Sequence, residues 1–119
     1  MARILIVEDD ESLILMLEIA LRPLHHEVVR CLSGADALPM MRAQRPDLVI
    51  LDLMMPAAGG DSVLGAIRAD ETLRDTPVIV LSAHPKGESI AAGAGADTFL
   101  GKPVDIRVFR ETVSRLLQR

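Results

Sequence analysis

Three short aliphatic runs, each stopping abruptly at a polar side chain, constrain this chain more than any other feature. Leu48-Val49-Ile50-Leu51 stops at Asp52, Ile4-Leu5-Ile6-Val7 at Glu8-Asp9-Asp10, and Val78-Ile79-Val80-Leu81 at Ser82. Unbroken apolar runs of this length read as buried parallel strands with helices on both faces. A fourth segment, Thr98-Phe99-Leu100, delivers Lys102 and Pro103. The carboxyl ends of such strands are where open α/β sheets bind ligands. If the four are parallel neighbours, carboxylates, a hydroxyl and an amine converge on one edge, a site suited to a divalent metal and a phosphoryl group.

A length of 119 residues predicts one domain spanning 1–119, with a single core. Half of the residues are apolar and only Phe99 and Phe109 are aromatic, so the core is aliphatic. A net charge of −4 gives no electrostatic drive toward nucleic acid or anionic lipid. Cys31 has no partner for an internal disulfide and reads as a small buried hydrophobe. The first strand begins almost at the N-terminus, which leaves no room for a signal peptide. No apolar stretch is long enough to span a bilayer, so no membrane association and a cytoplasmic location are expected.

Strands and helices alternate with short connections. Asp10 or Ser12 can cap a first helix that carries Leu13, Leu17, Ala20, Leu21 and Leu24, with Pro23 ending or distorting it. A second strand is predicted over 28–32, then a helix capped by Ser33 and running to about residue 44. Pro39 falls within that helix, where an interior proline costs about 3 kcal/mol against alanine, and predicts a kink or a short, irregular helix. Residues 54–60 read as loop, followed by a third helix from near Asp61 that buries Val63, Leu64 and Ile67. Residues 85–95 hold only a brief fourth helix. The last, about 104–118, carries a stripe of Ile106, Phe109, Val113 and Leu116. It is complete before Arg119, so the end of a protein and a join to a further domain both fit.

Acids from two strand ends repel one another unless a cation joins them, and hard carboxylate oxygens suit Mg²⁺. A metal-neutralised Asp52 can attack phosphorus to form an acyl phosphate. In-line transfer then needs positioning and charge stabilisation, which metal and lysine supply. The thirteen basic residues include only two lysines, Lys86 and Lys102, and Lys102 falls at a strand end. Singly, each residue has a plain alternative. The three acids can favour a helix N-terminus, Asp52 can be a turn residue, Ser82 a cap and Lys102 a solvated charge. All four arriving together at strand carboxyl ends favours the joint functional reading.

With Val80-Leu81-Ser82-Ala83 and the runs 4–10, 46–56 and 95–103, the chain resembles, over essentially its whole length, the receiver domain of two-component response regulators. The resemblance implies a flavodoxin-like, open five-stranded parallel sheet of order 2-1-3-4-5 flanked by five helices. It implies a signalling switch rather than an enzyme. Asp52 is then the phosphoacceptor, charged from a histidine kinase or phosphotransfer protein. Mg²⁺, with Mn²⁺ as a substitute, is held by Asp9, Asp52 and the Met54 backbone carbonyl, with Glu8 acting through water. Lys102 pairs with the phosphoryl group, Ser82 moves toward it, and Lys102-Pro103 is a cis peptide. Phe99 is the aromatic whose position reports the state. Met54 and His84, two residues beyond Asp52 and Ser82, flank the path of an attacking water and modulate dephosphorylation. The face of helix four, strand five and helix five then acts on a downstream partner or covalent output domain, with Arg107 and Arg110 offered for gripping.

Three departures from the family pattern stand out. Gly59-Gly60 replaces an acidic-glycine pair and is expected to loosen the start of helix three. Pro39 interrupts helix two. The interval from Ser82 to Lys102 is about two residues short and contains Gly87, Gly93 and Gly95, which predicts that 85–95 is the least stable segment. Competing readings are weaker. A pseudo-receiver, binding proteins without phosphate, has no need of an intact Asp9, Asp52, Ser82 and Lys102. A flavin site would not place Glu8-Asp9-Asp10-Glu11 against a phosphate, and a haloacid-type phosphatase would want an acid where Met54 stands. His25-His26 reads as an exposed turn rather than a metal site.

Overall fold

The computed structural model describes residues 1–55 and 59–118. Pro56, Ala57 and Ala58 of the expected 54–60 loop, and Arg119, lie outside the described residues. Among the described residues, five strands form one parallel sheet in the order β2-β1-β3-β4-β5. They are β1 (Arg3–Val7), β2 (Glu27–Cys31), β3 (Leu48–Asp52), β4 (Val78–Ser82) and β5 (Thr98–Gly101). Five helices connect and flank them: α1 (Glu11–Leu21), α2 (Ala37–Gln44), α3 (Gly60–Ala69), α4 (Gly87–Ala94) and α5 (Ile106–Leu117). This is the expected flavodoxin-like architecture. No helix among the described residues is long and apolar enough to cross a membrane.

Alternation along each strand builds two cores. Leu5, Val7, Val49, Leu51, Val78 and Val80 face α2, α3 and α4, packing on Met41, Val63, Leu64, Ile67 and Ala91. Ile4, Ile6, Leu48, Ile50, Ile79 and Leu81 face α1 and α5, against Ile14, Leu17, Leu21, Phe109, Val113 and Leu116. Every residue of β3 and β4 is buried, because each is covered on both faces and paired on both edges.

Most boundaries follow their local chemistry. Of the two caps considered for α1, Asp10 serves: Oδ1 accepts from the Ser12 and Leu13 backbone N–H groups at 2.9 and 3.3 Å. Asp105 caps α5 in the same way, so that helix starts two residues later than expected. Pro23 ends α1 as predicted, in a single 3-10 turn (Arg22–Leu24) that leaves through His25 at φ 59°.

Four expectations are corrected. β2 lies one residue earlier than 28–32, leaving Leu32 outside the strand and 50% exposed. Ser33 caps a separate 3-10 turn (Gly34–Asp36), and α2 starts only after it. Pro39 is therefore the third residue of α2, where the backbone N–H has no helical acceptor and its loss costs no hydrogen bond; the interior penalty does not apply, although the helix is short, as expected, at eight residues behind an irregular start. Ile106 is only half-buried, and Thr112 completes the α5 stripe, its hydroxyl donating to the Val108 carbonyl at 2.7 Å. Beyond these, Arg110 Nε donates to the Ala20 carbonyl at 2.7 Å and ties α5 to the end of α1.

Candidate functional site

Strand register brings the polar ends together. Val7 lies opposite Leu51, Asp52 opposite Leu81, and Ser82 opposite Gly101, so Glu8, Asp52, Ser82 and Lys102 emerge at one edge of the sheet. Glu8 and Asp52 are 1% and 2% exposed, whereas Asp9 is open to solvent. Carboxylate oxygens of Glu8, Asp9 and Asp52 lie within 4.8 Å of one another. Lys102 Nζ donates to Glu8 Oε1 at 3.2 Å and stands 3.2 Å from Asp52 Oδ1. The predicted acids and lysine therefore do meet.

Backbone groups fix this cluster. Glu8 Oε2 accepts from the N–H groups of Asp9 and Asp10 at 3.1 and 3.2 Å. Asp52 Oδ1 accepts from the Met54 N–H at 3.2 Å, while the Met54 side chain is 59% exposed. Lys102 is positioned from β4, its N–H donating to the Ser82 carbonyl at 2.9 Å, and the Lys102-Pro103 bond is cis. Ser82 Oγ accepts from the His84 N–H at 2.9 Å. His84 is half-buried, and its Nδ1 accepts from the Lys86 N–H at 2.9 Å, which leaves Nε2 as the nitrogen that bears the proton of the neutral ring.

The electrostatics favour a further cation. Like charges 4.8 Å apart repel by roughly 3 kcal/mol at an effective dielectric of about 20, and one lysine faces three carboxyl groups. Burial pushes the Glu8 carboxyl up to about 7; the Asp10 N–H opposes this, and neighbouring Asp52 adds to it. For Lys102 burial acts to lower the pKa, but the charges of Glu8 and Asp52 outweigh it and the net shift is upward. Hard oxygens drawn from two strand ends fit a magnesium-sized ion, and a dication would relieve this repulsion.

Two glycines complete the surroundings, and sequence reasoning missed the role of both. A Cβ at Gly60 would lie 2.3 Å from the Asp52 carbonyl oxygen and 2.7 Å from Leu53 Cα, so only glycine lets α3 start this close to the end of β3. The Gly60 N–H donates to the Leu53 carbonyl at 2.8 Å, so the expected loosening at Gly59-Gly60 is instead a tight junction at Gly60. Gly87, buried at the start of α4, faces Ser82 and the Phe99 ring at distances that a Cβ would crowd. In the sequence it is one of three glycines in a brief helical segment, and nothing there separates it from Gly93, where a Cβ meets open space. His25 and His26 stand apart from the site; His26 Nδ1 accepts from the Ala2 N–H at 3.1 Å, as a turn residue would.

Comparisons with known proteins identify the family. Residues 4–114 match the model of the response regulator receiver domain. The transcriptional regulatory protein AfsQ1 of Streptomyces coelicolor is 36% identical over all of this chain and 52% of its own length; the chain thus spans about half of that relative. The polar-differentiation response regulator DivK of Brucella ovis is 33% identical, over 96% of this chain and 94% of its own. A crystal structure of the receiver domain of a sensor histidine kinase from Pseudomonas aeruginosa, with magnesium coordinated in its active-site cleft, superposes with a TM-score of 0.90 at 29% identity. That match covers 99% of this chain and 98% of the other. Fold, convergent polar ends and sequence agree: the chain belongs to the receiver domain family of two-component response regulators.

Proposed function

We propose that this chain is a single receiver domain, a phosphoacceptor switch charged at Asp52 by a histidine kinase or a phosphotransfer protein. The observation that carries the reading is the placement of one lysine 3.2 Å from both Glu8 and Asp52, beneath an exposed Asp9. In the transfer, an Asp52 oxygen attacks phosphorus as the P–N bond of the donor phosphohistidine breaks. The imidazole leaves with that electron pair and takes up a proton. Asp9, Asp52 and the Met54 carbonyl, with Glu8 through water, would hold a magnesium ion, which would supply neutralising charge. The magnesium seen in the related Pseudomonas receiver is consistent with that assignment.

Lys102 orients the phosphoryl oxygens, and Ser82 approaches them when the domain activates. The change passes to α4, β5 and α5, with Phe99 and Pro103 in its path. Among the residues of α4, Ala91 is the one fully buried side chain beside Gly87, which supports a weakly held segment that phosphorylation can order. The output is a protein partner or a domain joined to this one, as the double length of AfsQ1 suggests. Incubation with acetyl phosphate and magnesium should add one phosphoryl mass to wild type, and none to Asp52→Asn or to chelated wild type. Equal labelling of Asp52→Asn would refute the assignment.

A further inference from the structure

Gly87 lies where three elements meet: the end of β4, the Phe99 ring on β5 and the start of α4. A Cβ at this position would stand 3.0 Å from Ser82 Cβ, 3.0 Å from Phe99 Cε1 and 3.1 Å from Phe99 Cζ. Ser82 and the Phe99 ring thus both border the space that a side chain at Gly87 would fill. Phe99 is half-buried and also lines a cleft of about 220 Å³ with Glu88, Ala91, Ala92 and Ala96, which offers room for the ring. The opposite end of α4 is fixed, because Gly95 caps it at φ 99° and its carbonyl accepts from Arg68 Nε at 2.8 Å.

Resting on the receiver reading above, we propose that Gly87 is a positioning residue: its missing side chain leaves the path by which the Phe99 ring follows Ser82. A methyl group there would occupy the space between them and hold the ring toward the cleft. Helix propensity alone gives the opposite expectation, since replacing glycine by alanine favours a helix. Gly93→Ala isolates that propensity effect, because nothing lies within 4 Å of a Cβ at Gly93.

The test compares wild type, Gly87→Ala, Gly93→Ala and Gly87→Ala/Phe99→Leu. Two readouts are the Phe99 ring resonances of the free protein and the concentration of beryllofluoride, with magnesium, at half-saturation. Gly87→Ala should move the ring resonances and weaken the response about fivefold, the low end of coupling between linked sites. Gly93→Ala should change neither, and shortening the ring to leucine in the double variant should restore the affinity. Unchanged ring resonances and affinity in Gly87→Ala, or a defect that Phe99→Leu does not relieve, would overturn the proposal. If Gly87→Ala alone fails to fold, recovery of folding in the double variant identifies the ring as the obstacle, and a double variant that also fails overturns the proposal. A wild type indifferent to beryllofluoride would count against the phosphoacceptor reading; the ring resonances, which need no phosphoryl mimic, would still decide whether Gly87 sets the ring.

Discussion

Arg68 Nη2 lies 2.7 Å from Asp97 Oδ2, and the same carboxylate oxygen accepts from the Val78 backbone N–H at 2.8 Å. The other donors of this guanidinium reach the carbonyls of Arg74 and Thr76, each at 2.7 Å, and of Gly95. One planar group at the end of α3 thereby holds the turn before β4, the last turn of α4 and the approach to β5. Charge-assisted bonds of this kind contribute more than neutral ones, discounted here because Arg68 is partly solvated. Arg68→Ala should lower stability by about 2 kcal/mol, seen as a lower urea midpoint at unchanged slope. Arg68→Lys should recover only part of it, because an ammonium lacks the planar fork. An unaltered midpoint in Arg68→Ala would mean that the clamp adds nothing.

Magnesium should stabilise the folded chain by mass action. At about ten times its dissociation constant the gain is about 1.4 kcal/mol. Thermal unfolding with and without magnesium measures it, and Asp9→Asn should shrink it markedly. Full stabilisation of Asp9→Asn would remove Asp9 from the ligand set.

Asp70 gives a pH dependence far from the site. The Arg42 guanidinium, Nη2 at 2.8 Å, and then the Thr72 hydroxyl and N–H hold its carboxyl down at about 2, from an ordinary 3.8. A depressed carboxyl stabilises the fold fully above its unfolded value, and that contribution is lost as pH falls from about 4 through 2. Asp70→Asn should therefore be less stable than wild type at neutral pH, with the difference closing toward pH 2. A difference that is the same at both ends would assign the effect to packing rather than charge.

His84, with Nδ1 engaged by the Lys86 N–H, presents a donor from its neutral ring. It is expected to orient an attacking water by donation rather than to abstract a proton from it. His84→Ala should change the decay rate of the aspartyl phosphate by about fivefold, the worth of one hydrogen bond. His84→Gln, which keeps a donor, should stay nearer wild type. Equal rates in all three would take His84 out of the reaction.

The sheet was readable from sequence because burial on both faces forces continuous apolar runs, and the polar residue ending each run marks where burial stops. Glu8, Asp9, Asp52, Ser82 and Lys102 were legible for that reason. What escaped depends on distances that no pattern encodes. Pro39 looked disruptive until a 3-10 turn ahead of it moved it into the first turn of α2. Arg110 looked like a surface charge until α5 was laid against the end of α1. Gly60, Gly87 and Gly93 are one letter in three settings, and only the neighbours of a hypothetical Cβ tell them apart.

The hydrogen bond from the Gly60 N–H to the Leu53 carbonyl ties the chain back to the point from which it left β3. The start of α3 is thereby anchored one residue from Asp52. A side chain at position 60 would press on the Asp52 carbonyl oxygen and on Leu53 Cα, so any outward shift of α3 is carried straight into the backbone that presents the carboxylate of β3.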